Sequence, residues 1–294
     1  MTLQAPMRCS ALAEQLGEPM IGTVDQRERW LLLEDRSAWG SHAVRDRFGA
    51  DVEARAKELG VRLLLVRRRE GDPADDSERV AILVDTLSGE MVSRTVATAA
   101  DPSVEEAAAA PLSSFGEPLA GPLFLVCTNG KRDACCALRG RALVAGLAGS
   151  HADRVWECTH LGGHRFAGNL VCLPDGIVYG RVAPLDGPRL ADAYVAGRLD
   201  PSFLRGRSAW PGPAQVAEQV LRERLDLDGL DDVRLERATL DADHATVVLR
   251  TRTGAHTFEL HADRLQPARP TSCRADDTEA PLHWVISAMS ESAS

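Results

Sequence analysis

Five of the seven cysteines lie within 46 residues of this 294-residue chain, and three of the eight histidines lie among them. The segment CTNGKRDACC carries Cys127, Cys135 and Cys136, and the segment HLGGHRFAGN carries His160 and His164. Thiolates and imidazoles are soft to borderline ligands that suit zinc, iron or copper rather than magnesium or calcium. These residue types therefore predict a metal centre or thiol redox chemistry in this part of the chain.

The spacing of these residues bears on the kind of metal centre. His160 and His164 are four residues apart, but the two glycines between them disfavour a helix, so the helical motif of zinc hydrolases is not indicated. Seven or eight residues separate Cys127 from the next two cysteines, which is more than the roughly two to four of structural zinc loops. A longer loop suits a larger group such as a two-iron cluster, and spacing alone leaves zinc and iron–sulfur centres both open.

The two segments follow neighbouring strands of a predicted α/β fold. Apolar runs predict strands that end at Cys127 and at Thr159, with a helix from about Cys135 to Leu147 between them. Two more strands and a helix follow, and this order is typical of a thioredoxin-like ferredoxin domain, a mixed sheet with flanking helices. Since the ends of adjacent strands in an open α/β sheet form the usual site crevice, we expect the thiols and imidazoles to converge there.

Two segments of linker-like composition divide the chain into three predicted domains. Asp101–Gly121 is rich in alanine, proline, serine and glutamate, and Ser208–Pro213 carries proline and glycine. Residues 1–105 are predicted to form a β-α-β-β-β domain, with a helix over Ser41–Leu59 and a strand over Val61–Arg67. The same order of elements recurs in the second domain, residues 118–208, which indicates a diverged internal repeat. Residues 213–294 are predicted to form a small α+β segment, a helix followed by strands.

The two segments that carry the thiols and imidazoles resemble those of the sucrase/ferredoxin-like family. The resemblance rests on CTNGKRDACC, on VWECTHLGGHRFAGN and on VYGRV, and it covers about residues 123–182. Cys9-Ser near the start of the chain and Ser272-Cys273 near its end fit more loosely. The metal domain of this family is similar to the thioredoxin-like [2Fe–2S] ferredoxins, with two cysteines and two histidines holding the cluster.

The resemblance implies a [2Fe–2S] cluster with Cys127, Cys136, His160 and His164 as ligands. The family's pattern places the second thiol after R-D-x-x, which selects Cys136 and leaves the adjacent Cys135 as the alternative. Two neutral imidazoles in place of two thiolates remove negative charge from the centre. The reduction potential is therefore expected to be pH-dependent and to lie above that of plant-type ferredoxins.

Basic residues close to these ligands are candidates to donate hydrogen bonds to cluster sulfurs or to face an acidic redox partner. They are Lys131, Arg132, Arg165 and Arg181. Ion pairs with Asp133 or Glu157 are an equally good interpretation of each.

Composition argues against several other functions. The formal net charge of −9 argues against a nucleic-acid binder. No apolar run approaches the roughly 18 residues of a membrane span, and the start of the chain lacks a secretory signal pattern, so a reducing cytoplasm is expected. No pair of acidic residues is placed for glycoside hydrolysis, and no GxGxxG follows a strand to bind a dinucleotide.

The sequence thus predicts an electron-transfer protein that works between a reductase and an acceptor protein. The sequence leaves open whether it only carries electrons or itself reduces a small molecule. One alternative is a colourless protein with a structural zinc on two cysteines and two histidines. Another is a metal-free thiol–disulfide oxidoreductase that uses Cys127 with Cys135 or Cys136, although no CxxC begins a helix and the histidines would have no role.

Overall fold

The computed structural model describes residues 7–68, 78–97, 103–109 and 111–293. The helices are α1 Cys9–Gln15, α2 Ala43–Phe48, α3 Ala50–Glu58, α4 Val104–Ala109, α5 Leu112–Phe115, α6 Ala134–His151, α7 Asp186–Val195 and α8 Gly212–Leu225. The first strands are β1 Arg29–Glu34, β2 Val61–Arg67, β3 Arg79–Asp85, β4 Glu90–Val96, β5 Glu117–Pro118, β6 Leu123–Cys127 and β7 Val155–Cys158. The remaining strands are β8 Leu170–Leu173, β9 Ile177–Tyr179, β10 Leu204–Arg207, β11 Arg234–Asp241, β12 His244–Arg250, β13 Gly254–Arg264 and β14 Leu282–Ala293.

Within the described residues, ten strands form one mixed sheet and four form a second, antiparallel one. The order in the large sheet is β10-β9-β8-β6-β7-β2-β1-β3-β4-β5, and that in the small sheet is β11-β12-β13-β14. In the large sheet β1 pairs with β2, and β6 with β7, in parallel. The predicted α/β class, a mixed sheet with flanking helices, is confirmed. None of the helices in the described part of the chain has the length and apolarity needed to cross a membrane.

The order of strands in the large sheet is palindromic. One half reads β2-β1-β3-β4-β5 outward from the centre, and the other reads β7-β6-β8-β9-β10. The halves meet where β2 and β7 pair antiparallel, at Val66 with Cys158 and at Arg67 with Glu157. Equal connectivity in both halves is the arrangement that a diverged repeat produces. The domain boundaries drawn at residues 105 and 118 stay a prediction, and both segments contribute strands to this one sheet.

The stretch with linker-like composition, Asp101–Gly121, carries α4, α5 and β5. Val104, Leu112 and Phe115 are buried in the core of the first half. Ala107 of α4 is buried in the same core, which the composition of this stretch does not reveal. Residues 101, 102 and 110 of this stretch lie outside the described residues.

The last helix is attached to the large sheet by a buried ion-pair network. The Glu218 carboxylate of α8 accepts hydrogen bonds from Arg207 of β10 at 2.9 Å and from Arg222 at 3.0 Å. Glu218 and Arg222 have no exposed side-chain surface. Ser208 and Trp210 in the second predicted linker are buried as well, so α8 is fixed against the sheet.

A glycine brings α6 close to the strand that ends at Cys127. A Cβ built on Gly140 would lie 2.1 Å from the carbonyl oxygen of Cys127, whereas one built on Gly149 in the same helix meets no atom within 4 Å. Real Cβ atoms do not approach a carbonyl so closely. The first turns of α6, and Cys136 with them, are therefore held against the end of β6.

We expect Gly140→Ala to lower the free energy of unfolding by about 1–3 kcal/mol, since the new methyl group must push α6 away from β6. Gly149→Ala is the matched control in the same helix and should raise stability by about 0.5–1 kcal/mol, because alanine is the better helix former. Urea unfolding followed by circular dichroism measures both. Equal effects of the two substitutions would contradict the close approach.

Candidate metal centre

Two buried thiols meet where β6 ends and α6 begins. Cys127 is 2% exposed and Cys136 is 1% exposed. Asp133 caps α6, because its side chain accepts a hydrogen bond from the backbone N–H of Cys135 at 2.8 Å. Asn129 folds the preceding loop by accepting a hydrogen bond from the backbone N–H of Arg132 at 3.2 Å. The cap and the loop together set the position of Cys136 relative to Cys127.

The surroundings of the two thiols favour negative charge on Cys127. The Cys136 thiol donates a hydrogen bond to Cys127, and backbone N–H groups of Leu161 and Asn129 do the same, so the pKa of Cys127 is lowered despite its burial. That same hydrogen bond, together with burial, raises the pKa of Cys136. The lowered pKa favours the thiolate form of Cys127, which is the form of cysteine that binds metals.

Both predicted histidines lie beside these thiols. The Nδ1 atom of His164 is 3.6 Å from the Cys136 sulfur. The His160 ring stacks on the His164 ring, with centroids 4.0 Å apart and planes inclined by 12°. Burial lowers the pKa of His160 to about 2 and that of His164 to about 4. Both imidazoles are therefore neutral at pH 7 and can offer a nitrogen lone pair to a metal.

The loop between the two histidines is held by a buried arginine and an asparagine. Gly162 and Gly163 adopt positive φ angles of 82° and 65°. Asn169 donates to the carbonyl of Gly163 at 3.0 Å, and Arg205 donates to the Asn169 side chain at 2.8 Å. A Cβ on Gly163 would lie 2.4 Å from the Arg205 guanidinium, so position 163 requires glycine both for its conformation and for space.

Two arginines near the site, Arg205 buried and Arg62 partly buried, are marked by no pattern in the sequence. Arg205 is 1% exposed, and Arg62 donates to the carbonyl of His160 at 2.9 Å. Burial lowers the pKa of both arginines, that of Arg205 to about 9, and the negative charge of Cys127 acts on both in the opposite direction. The hydrogen bonds of Arg205 go to neutral groups of Thr23, Gly162 and Asn169. The positive charges of Arg62 and Arg205 therefore favour anionic sulfur at this site.

The basic residues predicted from the sequence surround the site at different distances. Arg132 and Arg165 are close enough for their charges to lower the pKa of His164. The Arg165 guanidinium pairs with Glu18 at 2.6 Å, and Arg181 donates to the carbonyl of Glu18 at 2.8 Å, while Lys131 is exposed. The partner carboxylate of Arg165 is therefore neither Asp133 nor Glu157, the two considered from the sequence.

The adjacent cysteines 135 and 136 belong to different groups of side chains. Cys136 lies with Cys127 and His164. Cys135 lies with Cys9, Asp133 and Cys273, and the ligand atoms of these four residues are all within 4.8 Å of one another. Among the described residues, the ligand atoms of Cys127, Cys136, His160 and His164 do not form so compact a group.

Taken together, the structure is an α/β protein with a pocket of buried thiols and neutral imidazoles at the ends of adjacent strands. The chain belongs to the Sucrase/ferredoxin-like family, which matches residues 20–206.

Two yeast proteins, both called Altered inheritance of mitochondria protein 32, are similar to part of this chain. The protein of Eremothecium gossypii is 33% identical over 115 residues, which are 34% of this chain and 36% of the relative. That of Meyerozyma guilliermondii is 33% identical over 84 residues, 25% of this chain and 29% of the relative. The chain thus spans about a third of the length of these relatives. No solved structure matches.

Proposed function

We propose that this protein transfers electrons through a [2Fe–2S] cluster bound by Cys127, Cys136, His160 and His164. The observation that carries the proposal is the meeting of two buried thiols and two neutral, stacked imidazoles, with Cys136 Sγ and His164 Nδ1 3.6 Å apart. Membership of the Sucrase/ferredoxin-like family supports it. When bound, such a cluster accepts and releases single electrons.

The spread of the donor atoms favours a two-iron cluster over a single zinc. One tetrahedral ion requires its four donors within a few ångströms of one another, at bonds of about 2.0–2.3 Å. Among the described residues, the donor atoms of the four proposed ligands do not all lie within 4.8 Å of one another, and this spacing suits a larger two-iron cluster better than a single ion. The buried Arg205 and the partly buried Arg62 supply positive charge that stabilises added negative charge.

A cavity of about 530 Å³ beside His160 gives this site a route to the surface. Arg62 and Arg132 line it, together with Lys57 and Arg27. We propose that a redox partner with an acidic surface docks over this cavity, because the lining is rich in positive charge. A reductase and an acceptor protein are the proposed partners, in a reducing compartment that keeps the buried thiols free.

The cluster is tested by purifying the full chain under anaerobic conditions and measuring its visible spectrum, iron and acid-labile sulfide. We expect a red-brown protein with about two irons and two sulfides per chain. Cys136→Ser should lose nearly all of both, because Cys136 is proposed as a ligand, whereas Cys135→Ser should retain them. Cys172→Ser is the control, since Cys172 is a fully buried cysteine in the core away from both groups.

Other outcomes identify the alternatives. A colourless protein whose zinc is lost in Cys136→Ser has a structural zinc at this site instead of a cluster. A protein that holds neither iron nor zinc at this site would indicate thiol–disulfide chemistry of Cys127 with Cys136. Both results would overturn the proposal.

A further inference from the structure

Three cysteines from distant parts of the chain meet around one buried carboxylate. Cys9 comes from α1, Cys135 from the start of α6, and Cys273 from the segment between β13 and β14. The sulfur of Cys135 is 3.6 Å from that of Cys9 and 3.4 Å from that of Cys273, and the sulfurs of Cys9 and Cys273 are 3.6 Å apart. Cys9 and Cys273 lie outside residues 20–206, the part of the chain that the family matches.

The carboxylate of Asp133 completes this group. One oxygen accepts the backbone N–H of Cys135 at 2.8 Å and the other that of Cys273 at 2.7 Å, which leaves each oxygen with a further lone pair. The two oxygens lie 3.8 and 3.9 Å from the Cys9 sulfur. Asp133 has no exposed surface.

A buried carboxylate surrounded by three thiols is a poor arrangement unless a cation is present. The Ser10 hydroxyl also donates a hydrogen bond to the Cys135 sulfur at 3.2 Å. The negative charge of the carboxylate and of any deprotonated thiol lies in one small buried volume, and buried charge of one sign is costly without an opposite charge. A divalent cation supplies that charge.

The distances fit one tetrahedral ion. Bonds of about 2.3 Å from zinc to sulfur place the sulfurs of a tetrahedron roughly 3.8 Å apart, and the three observed separations of 3.4–3.6 Å are slightly shorter. An iron–sulfur core does not fit between atoms so close together. Three thiolates with one carboxylate oxygen suit zinc better than copper(I), which prefers purely soft ligands.

We propose that Cys9, Asp133, Cys135 and Cys273 bind one zinc ion, separate from the proposed iron–sulfur site. Binding releases the protons of those thiols that are still protonated. The ion would attach α1 and the segment between β13 and β14 to the start of α6, one residue before Cys136. The C-terminal part of the chain thereby acquires a role, which is to deliver the ligand Cys273. This site does not depend on the cluster proposal.

The test measures zinc in the full chain after reduction, addition of zinc and removal of loosely bound metal with a chelator. We expect about one zinc per chain. Cys273→Ser and Cys9→Ser should lose it, and Asp133→Asn should weaken zinc binding at least about 10-fold while asparagine still caps α6. Cobalt(II) added in place of zinc should give the visible bands of a tetrahedral ion with sulfur-to-metal charge transfer. Cys172→Ser is the control and should keep its zinc.

Cys273→Ser is the decisive variant because Cys273 is exposed, so its replacement leaves the core intact. Its iron content should equal that of the unmodified chain, which separates this test from that of the cluster. Zinc that survives in both Cys273→Ser and Cys9→Ser overturns the proposal. So does a reduced chain that binds neither zinc nor cobalt, or a disulfide between two of these cysteines found by mass spectrometry after purification with reductant.

Discussion

Replacing His160 or His164 by cysteine should keep the proposed cluster bound and lower its reduction potential by roughly 100 mV or more. A thiolate adds one negative charge where the neutral imidazole stood, so the reduced form becomes harder to reach. Replacing both histidines should bring the potential towards the value of about −400 mV that is typical of plant-type ferredoxins. A redox titration followed by the visible spectrum measures the shift.

His42→Cys is the matched control for these variants. His42 lies beside Arg132, 3.4 Å from its guanidinium, but outside the group of thiols and stacked rings. Its replacement should leave the potential unchanged.

We also expect the potential of the unmodified protein to fall as the pH rises, because loss of a proton from a ligand imidazole adds negative charge. This pH dependence should weaken in the His160→Cys and His164→Cys variants. If the His160 and His164 variants have the same potential as the unmodified protein, neither histidine is a ligand of the cluster.

Replacing Glu18 by glutamine should lower the free energy of unfolding by about 3–5 kcal/mol. The Glu18 side chain is 1% exposed and pairs with two guanidinium groups, that of Arg165 at 2.6 Å and that of Arg269 at 3.0 Å. Glutamine has nearly the same shape but no charge, so both arginines would remain in place without a counter-charge. Arg165 directly follows His164, and Arg269 lies four residues before Cys273, so this carboxylate links both proposed metal sites.

Urea unfolding followed by tryptophan fluorescence measures this loss, and Glu236→Gln is its control. Glu236 pairs with Arg250 at 2.7 Å, but both side chains are about half exposed, so the change there should be within about 1 kcal/mol. Glu18→Asp keeps the charge and should recover part of the stability. A loss for Glu18→Gln as small as that for Glu236→Gln would contradict the role of the buried network.

Two strands at the site could be predicted from the sequence because each contains a run of at least four apolar residues. Leu123–Cys127 and Val61–Arg67 are strands with the predicted bounds. The helix predicted over Ser41–Leu59 is two helices, since Gly49 between them has a φ of 93° that no helix allows. No pattern in the sequence predicts the strand Leu204–Arg207, because LRGR has no apolar run and its burial depends on hydrogen bonds that Arg205 makes to distant residues.

The candidate site could be predicted only where its residues are close in sequence. Cys127, Cys136, His160 and His164 lie on two short segments at the ends of adjacent strands, and a general rule of α/β sheets brings such ends together. Other groups at or beside the site come from remote parts of the chain. They are Arg62, Arg205, Cys9 and Cys273. No local pattern marks an arginine as buried or a terminal cysteine as the neighbour of Cys135, because those properties arise only from tertiary packing.

Both halves of the palindromic sheet belong to one chain, so the cover that the first half gives to the site does not depend on protein concentration. Arg62 of β2 and the carbonyl of Gly40 in the first half contact the loops of the second half, at His160 and at Asn129. If the halves were two separate subunits, dilution would dissociate them and expose the thiols and imidazoles to solvent. Here the covering half is covalently attached and its effective concentration is fixed, so the site keeps its cover at any dilution.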